Sequence, residues 1–591
     1  MATRPEQVRT SARPTVIGRH YAAACGHYLA TSAAAGVLER GGNAIDAGVT
    51  AAMAMAVLQP NLVSFAGVAP TLIYLRREQR VVSLAGLGYW PAATDVARLI
   101  KEGGESIPDG ILRTVVPAAP ATHIEALRRF GTISFEEAAT PACELAHDGF
   151  AMYPLLSHNI ENVAHSPSQR DDIPASFDRY PENARIFRPG GRTPVVGEIF
   201  RQDDLARTIY MMIEAERNAT GDRDKKLRAA HECFYRGPIA KAISEYHAKC
   251  GGFLTKADLA GFEVPVEDSI RCDYRGFEVH SCDVWCQGVV LLETLKILEG
   301  FKVKGLGHNS PAYIHTLAEA FNLSFADREA YVGDPKFVRV PTEGLLSSSY
   351  AEIQRKRIDP HCAFGKMPLA GDPLACGQTA SSRHAIVASP AEKVQVAQDT
   401  IFGCVVDREG NAYSVTPSDD AYDTPIVPGT GLAVSSRGSQ SRLEPGHPSE
   451  VHAGKRPRLT PTPGLALRDG QFYLAFGTPG GDIQCQSMLQ VFFNIAEFGM
   501  SVQQAVEAPR FGTFNFPNSF APHQYLPGRL LLESSISPEA VQKLREKGHD
   551  VELLPPLSPT VGSVCAILRD SATGFLHAGA DSRREAYATA W

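Results

Sequence analysis

Apolar residues fall along this chain in two rhythms. After the turn-forming Arg40-Gly41-Gly42-Asn43, the run AIDAGVTAAMAMAVLQ is almost continuously apolar. That pattern predicts a buried helix with Asn43 as its N-cap and Pro60 as its stop. Apolar positions three and four residues apart predict further helices over 121–130, 135–147, 239–249, 289–298, 311–330 and 483–497. Shorter β-branched runs predict strands. Two lie in TLIYLRREQRVVSLAG around its polar turn, a hairpin runs from Thr400 to Thr416, and others cover 465–467, 472–476 and 564–568. Between Ile358 and Val396 the periodicity fades into Pro, Gly, Ser and Ala, which reads as an exposed connector that tolerates cleavage.

Composition narrows the classes. The 591 residues carry a net charge of −7, with 44% hydrophobic and 21% charged residues, as an ordinary globular protein does. Disorder is excluded on that basis, and so is nucleic acid as the main partner, because there is no basic excess to release phosphate counterions. The apolar run 44–59 is too short for a bilayer, so no membrane partner is expected. The first residues hold Arg4, Arg9, Arg13 and Arg19 without an apolar core, so they do not read as a secretory signal. The twelve cysteines are scattered, Cys282 and Cys286 being the nearest pair, and are expected as free thiols in a reducing cytoplasm. His315 and Glu319 stand one helical turn apart with no third ligand at metal spacing, and no strand–GxGxxG–helix pattern occurs. Neither metal nor cofactor is therefore expected. Length alone suggests three or four domains.

The chemistry gathers after the connector. Thr400 follows Asp399 and opens a Val-Val-Asp strand, a Gly410-Asn411 turn and a Ser-Val-Thr strand. Further on, FGTPGGD places Gly480 and Gly481 before a helix, a backbone N–H pair suited to an oxyanion. With these, the pieces ATSAAAGVLERGGNAIDAGVTAAMA, FYRGPIAKAI, GGFLTKADLAGFEV, HTLAEAFNLSFADREAYVGDPKF, GMSVQQAVEAPRF and GADSRREAYATAW form a collinear series across nearly the whole chain. This series resembles the γ-glutamyltranspeptidase family of N-terminal nucleophile hydrolases. The resemblance implies an α+β fold, the four-layer αββα sandwich, in which 1–399 and 400–591 are a large and a small subunit sharing one core. It implies self-cleavage between Asp399 and Thr400 into an αβ heterodimer, with further dimerisation left open. It also implies Thr400 as nucleophile, Gly480 and Gly481 as oxyanion donors, Ser418 in the place of a second hydroxyl, and Asp420 where an Asn holds the substrate's α-amino group.

The nucleophile makes physical sense without the family. A Thr hydroxyl needs a base, and cutting the Asp399–Thr400 bond would free an α-amine with an ordinary pKa of about 7.7–8.0 on the same residue. The departures from the family are directional. Leu87 and Gly88 stand where an Arg and a Glu clamp the substrate carboxylate, and Ser435 to Ser441 replaces the acidic ammonium-binding segment. Leu459 and Thr460 replace a Ser pair, and Ile401 and Phe402 replace Thr-His. The expected substrate is therefore a small amide other than glutathione. Its acyl group would be apolar or aromatic and contact Leu87, Tyr89, Trp90, Phe402 and Leu459, core packing being the alternative for these, while Arg437, Arg442 and Arg458 read mainly as solvated surface, with a replacement clamp as the alternative. A genuine γ-glutamyl hydrolase with a rearranged clamp, an uncut inert scaffold, and a C–C bond-cleaving relative are the alternatives.

Overall fold

A computed structural model describes residues 11–162, 177–374, 400–421 and 424–591. Its centre is a pair of seven-stranded sheets, antiparallel throughout. One runs in the order Tyr587–Ala590, Ala22–Cys25, Gly403–Val406, Ala412–Val415, Thr71–Leu75, Arg80–Leu84, Val266–Asp268. The other runs Val16–Gly18, Leu576–Ala580, Cys565–Arg569, Gln471–Gly477, Gly464–Arg468, Phe277–Ser281, Ile270–Tyr274.

The period-two alternation of strand side chains explains how the sheets stack. Ala22, Ala24, Cys404 and Val406 of the first sheet share an apolar cluster with Leu465, Leu467, Ala475 and Ile567 of the second. The intervening Ala23, Cys25, Val405, Tyr413 and Val415 turn to the opposite face and pack on helices that include Ala44–Leu58 and Phe135–His147. On the far face of the second sheet, Ala466, Leu474 and Phe476 pack against Gly288–Leu298, Pro311–Tyr331 and Gln484–Ala496. The result is four layers, helix–sheet–sheet–helix. The central strands are covered on both faces and read as nearly continuous apolar runs, whereas edge strands such as Val266–Asp268 and Ile270–Tyr274 keep polar, partly exposed positions.

Ala44–Leu58 is buried along its whole length. Asn43 caps it in a box, its side chain accepting from the Ile45 and Asp46 N–H groups while Asp46 accepts from the Asn43 N–H. The hairpin from Ser-Val-Thr is real but shorter than its pattern, pairing Gly403–Val406 with Ala412–Val415. Thr400 and Ile401 lie before the strand with their amides bonded elsewhere, Thr400 to Leu62 and Ile401 to Pro417. This hairpin sits mid-sheet between Ala22–Cys25 and Thr71–Leu75, so strands from either side of residue 400 interleave. The length-based expectation of three or four domains fails for that reason. Residues 358–374 of the predicted connector are irregular, and 375–399, including Asp399, lie outside the described residues. Among the described residues no helix is long and apolar enough to cross a membrane.

Candidate active site

Thr400 lies at the entry to the central hairpin, fully buried. Its amide donates to the Leu62 carbonyl at 2.8 Å, and its φ is +89°. Positive φ is a genuine outlier for a β-branched residue, because Cβ crowds the backbone there. Thr400 Oγ1 stands 2.6 Å from Ser418 Oγ. Ser418 is brought there by an isolated antiparallel bridge, Val68 and Ser418 exchanging N–H···O bonds of 3.0 and 3.4 Å. The chain passes so near Gly67 that a Cβ on it would run into the Ser418 carbonyl oxygen.

Behind Ser418 comes Arg437, fully buried at the start of the short 3-10 turn Arg437–Gln440. Its Nη2 donates to Ser418 Oγ at 2.6 Å, and its Nε lies 3.1 Å from Asp419 Oδ1. A guanidinium only donates, so Ser418 Oγ accepts from Arg437, and its own O–H stays available to Thr400 Oγ1, either hydroxyl being able to donate in that contact. Asp419 is strained as well, at φ +92°, and accepts from Ser435 Oγ at 2.8 Å, the Ser436 amide at 3.0 Å and Ser436 Oγ at 3.1 Å. The guanidinium also lies over the Phe520 ring, 5.4 Å from its centroid. Asp420 is buried one residue further on.

The glycine pair joins this network from the second sheet. Gly480 has φ +120° and Gly481 +59°, conformations that suit glycine and turn the chain from strand Gln471–Gly477 into helix Gln484–Ala496. Gln287 Nε2 donates to the carbonyls of Gly481 and Thr460, both at 3.0 Å. Thr460 Oγ1 accepts from Gln440 Nε2 at 2.7 Å, at the end of the turn that begins with Arg437. Hydrogen bonds thus connect Thr400 and Ser418 through the 3-10 turn to the Gly481 backbone.

The expected substrate-contacting positions are dispersed. Leu87, Phe402 and Leu459 belong to the inter-sheet apolar cluster, and the Phe402 ring fills the space over Gly477. Tyr89 is half-buried, packed on Phe262 with ring centroids 5.8 Å apart, its hydroxyl 3.4 Å from the Asp258 carbonyl. Trp90 is fully buried and donates from Nε1 to Ser441 Oγ at 2.9 Å.

Reading Arg437, Arg442 and Arg458 as surface is overturned: all three are buried. Arg442 and Arg458 meet Glu329 at 2.8 and 2.6 Å, joined by Arg328 at 2.9 Å. Burial pushes the Glu329 carboxyl up, but Arg458, Arg442 and Arg328 together outweigh it and hold it well below the usual range. Arg328 does not pair with its neighbour Asp327. It bonds Asp482, which in turn accepts from the Ser519 amide at 2.8 Å, while Asp327 faces Tyr350 and Gln354 on another side of the helix. The expectation that His315 and Glu319 have no third ligand also fails, because the fold carries His549 to them over more than 200 residues of sequence. Sequence reasoning passed over the pairing of Asp419 with Arg437. Its one trace is an Arg set among small polar residues close behind Ser418, which only the Val68 bridge turns into a site.

The chain is similar to known proteins over nearly its whole length. The family described as Gamma-glutamyltranspeptidase matches residues 30–591. The chain is 30% identical to the glutathione hydrolase proenzyme of Bacillus subtilis (strain 168), over 99% of this chain and 93% of that one. It is 31% identical to the acylase ACY 1 proenzyme of Pseudomonas sp. (strain SE83), over 91% and 88%. Among solved structures, cephalosporin acylase from Bacillus halodurans superposes with a TM-score of 0.82 at 27% identity, covering 100% of this chain and 99% of that one.

Proposed function

The chain belongs to the γ-glutamyltranspeptidase family of Ntn-type amide hydrolases and transpeptidases, and from that premise we propose a self-processing acylase whose nucleophile is Thr400 and whose substrate is not a γ-glutamyl amide. The observation that carries the nucleophile is the 2.6 Å contact of Thr400 Oγ1 with a Ser418 hydroxyl that Arg437 already bonds. In the precursor, Thr400 Oγ1 attacks the Asp399 carbonyl, the peptide C–N bond breaks, and the proton passes to the departing nitrogen. Water then hydrolyses the ester and leaves Thr400 at a new N-terminus. Strain supports this step. A φ of +89° at a β-branched residue costs on the order of 1–3 kcal/mol, and cutting the preceding peptide bond removes the constraint.

In the processed enzyme the Thr400 nitrogen is an amine within reach of its own Oγ1, and the Leu62 carbonyl is placed to orient it. The amine takes the hydroxyl proton as Oγ1 attacks the substrate amide, then delivers it to the leaving nitrogen. Ser418, polarised by Arg437, donates to Oγ1, and the Gly480 and Gly481 N–H groups receive the developing oxyanion. Water releases the acyl group.

The charges argue for the substrate class. A γ-glutamyl head brings a carboxylate and an ammonium, but Asp419 already faces Arg437, and Glu329 already faces Arg442 and Arg458. Leu87 stands in the inter-sheet core and offers no fork for a carboxylate. An uncompensated substrate charge there would cost a few kcal/mol or more. The test is a panel of acyl-p-nitroanilides run beside γ-glutamyl-p-nitroanilide. An aliphatic or aromatic acyl compound should turn over at least ~10²-fold faster, as kcat/KM, than the γ-glutamyl compound. Preference for the γ-glutamyl compound would establish the rearranged-clamp reading instead, and processed protein inert to every amide would point to another bond, C–C included.

A further inference from the structure

One group of buried polar side chains takes no part in the chemistry above. His315 and Glu319 lie one turn apart on helix Pro311–Tyr331. His549 reaches them from the turn between Pro538–Glu546 and Asp550–Leu554. All three are buried, and their ligand atoms lie within 4.8 Å of one another.

Hydrogen bonds determine the tautomers. His315 Nε2 is 2.8 Å from the Asp359 carbonyl oxygen, which only accepts, so Nε2 carries the proton and Nδ1 a lone pair. His315 Nδ1 is 2.8 Å from His549 Nε2, which must donate, leaving a lone pair on His549 Nδ1. That nitrogen stands 3.9 Å from Glu319 Oε1, beyond hydrogen-bond distance. Glu319 is braced by the Phe364 amide at 3.0 Å and Asn322 Nδ2 at 3.1 Å. The nearby Lys547 spends its ammonium on the Pro360 carbonyl.

We propose that His315, Glu319 and His549 form a site for a divalent first-row transition-metal ion. Two imidazoles and a carboxylate suit such ions, and a carbonyl accepting from the far N–H of His315 is the usual device for orienting a ligating ring. Two ligands of a tetrahedral ion bound at about 2.0–2.2 Å stand roughly 3.4 Å apart. The His315 Nδ1–His549 Nε2 separation is 2.8 Å and all three ligand atoms lie within 4.8 Å of one another, so seating an ion requires the two rings to part and the carboxylate to close in. It breaks the imidazole–imidazole hydrogen bond and moves the His549 proton from Nε2 to Nδ1. His315 and Glu319 precede residue 400 and His549 follows it, so the ion would pin two chains together after cleavage. That consequence rests on the proposed processing; metal binding itself does not.

The experiment uses tag-free, full-length protein stripped with chelator, incubated with zinc and desalted. Retained zinc is measured by elemental analysis, stability by thermal melting, and ligation by the visible spectrum after cobalt(II) loading. Wild type should retain one zinc per chain, melt higher with zinc than without, and show the absorption of a low-symmetry cobalt site. H549Q and E319Q should lose the retained zinc, the shift and the cobalt absorption. E319Q, which preserves side-chain shape, guards against misfolding when it melts like stripped wild type. Stripped wild type retaining no more zinc than H549Q overturns the proposal, as does a folded E319Q with undiminished cobalt absorption.

Discussion

Two buried polar clusters lie near each other in this molecule and differ in one respect. Around Glu329, three guanidiniums converge on a carboxylate in relaxed helical backbone, Arg328 and Glu329 both lying on Pro311–Tyr331. Around Thr400, a single Arg437–Asp419 pair serves two hydroxyls, and two of the four residues hold positive φ. Both clusters are buried. Burial and charge therefore do not mark the chemistry; backbone strain and a hydroxyl with a proton to give do. The Glu329 cluster tethers helix Pro311–Tyr331 to the 442–458 segment and, through Asp482, to the residue after the glycine pair. It works as scaffold.

Substitutions can break that contrast, the largest effect first. Thr400→Ala should abolish processing and turnover outright, with melting close to that of the wild-type precursor. Glu329→Gln should do the reverse. It leaves buried guanidiniums short of a partner and should cost about 3–5 kcal/mol of stability, read by denaturant unfolding, while material that folds still cuts. Equal loss of processing and stability in both variants would dissolve the distinction. Ser418→Ala should lower the rate of processing roughly 10²-fold, followed by timed gels, with little change in melting. Arg437→Met should slow processing in the same direction and also destabilise, because Asp419 then stays buried opposite an apolar chain.

The smallest effect is in pH. Burial lowers His447 to about 4, against the pull of the nearby Glu329 carboxylate, from an ordinary 6.5 when unfolded. A base with a depressed folded pKa binds its proton more readily when unfolded. Its contribution is therefore fully present above about pH 6.5 and is lost as pH falls toward 4. Melting temperature should drop across that window, and His447→Gln should flatten the slope. An unchanged slope would remove His447 from the account.

What the sequence disclosed follows from range. Helix Ala44–Leu58 and its Asn43 cap were legible because capping and burial are local. Thr400 and Ser418 carry a collinear signature, and the fold brings their hydroxyls within 2.6 Å; Gly480 and Gly481 stand before a helix, as their local motif reads. Arg437 was not legible, because nothing local distinguishes an arginine neutralised by Asp419 from one in solvent; the Val68–Ser418 bridge decides it. Phe402 and Leu459 read as candidate pocket walls, and the stacking of two sheets puts them in the core between. His549 was illegible for the same reason, being joined to His315 only by the tertiary fold.

The central claim is that the nucleophile comes into being by cleavage at its own amide. Intact-mass measurement and N-terminal sequencing of purified wild type and Thr400→Ala test it directly. In wild type the 63.8 kDa chain should give way to two fragments, the smaller beginning at Thr400, and the variant should stay whole. A wild-type chain that remains intact on long incubation, or a Thr400→Ala chain that still cuts at the same bond, would contradict it.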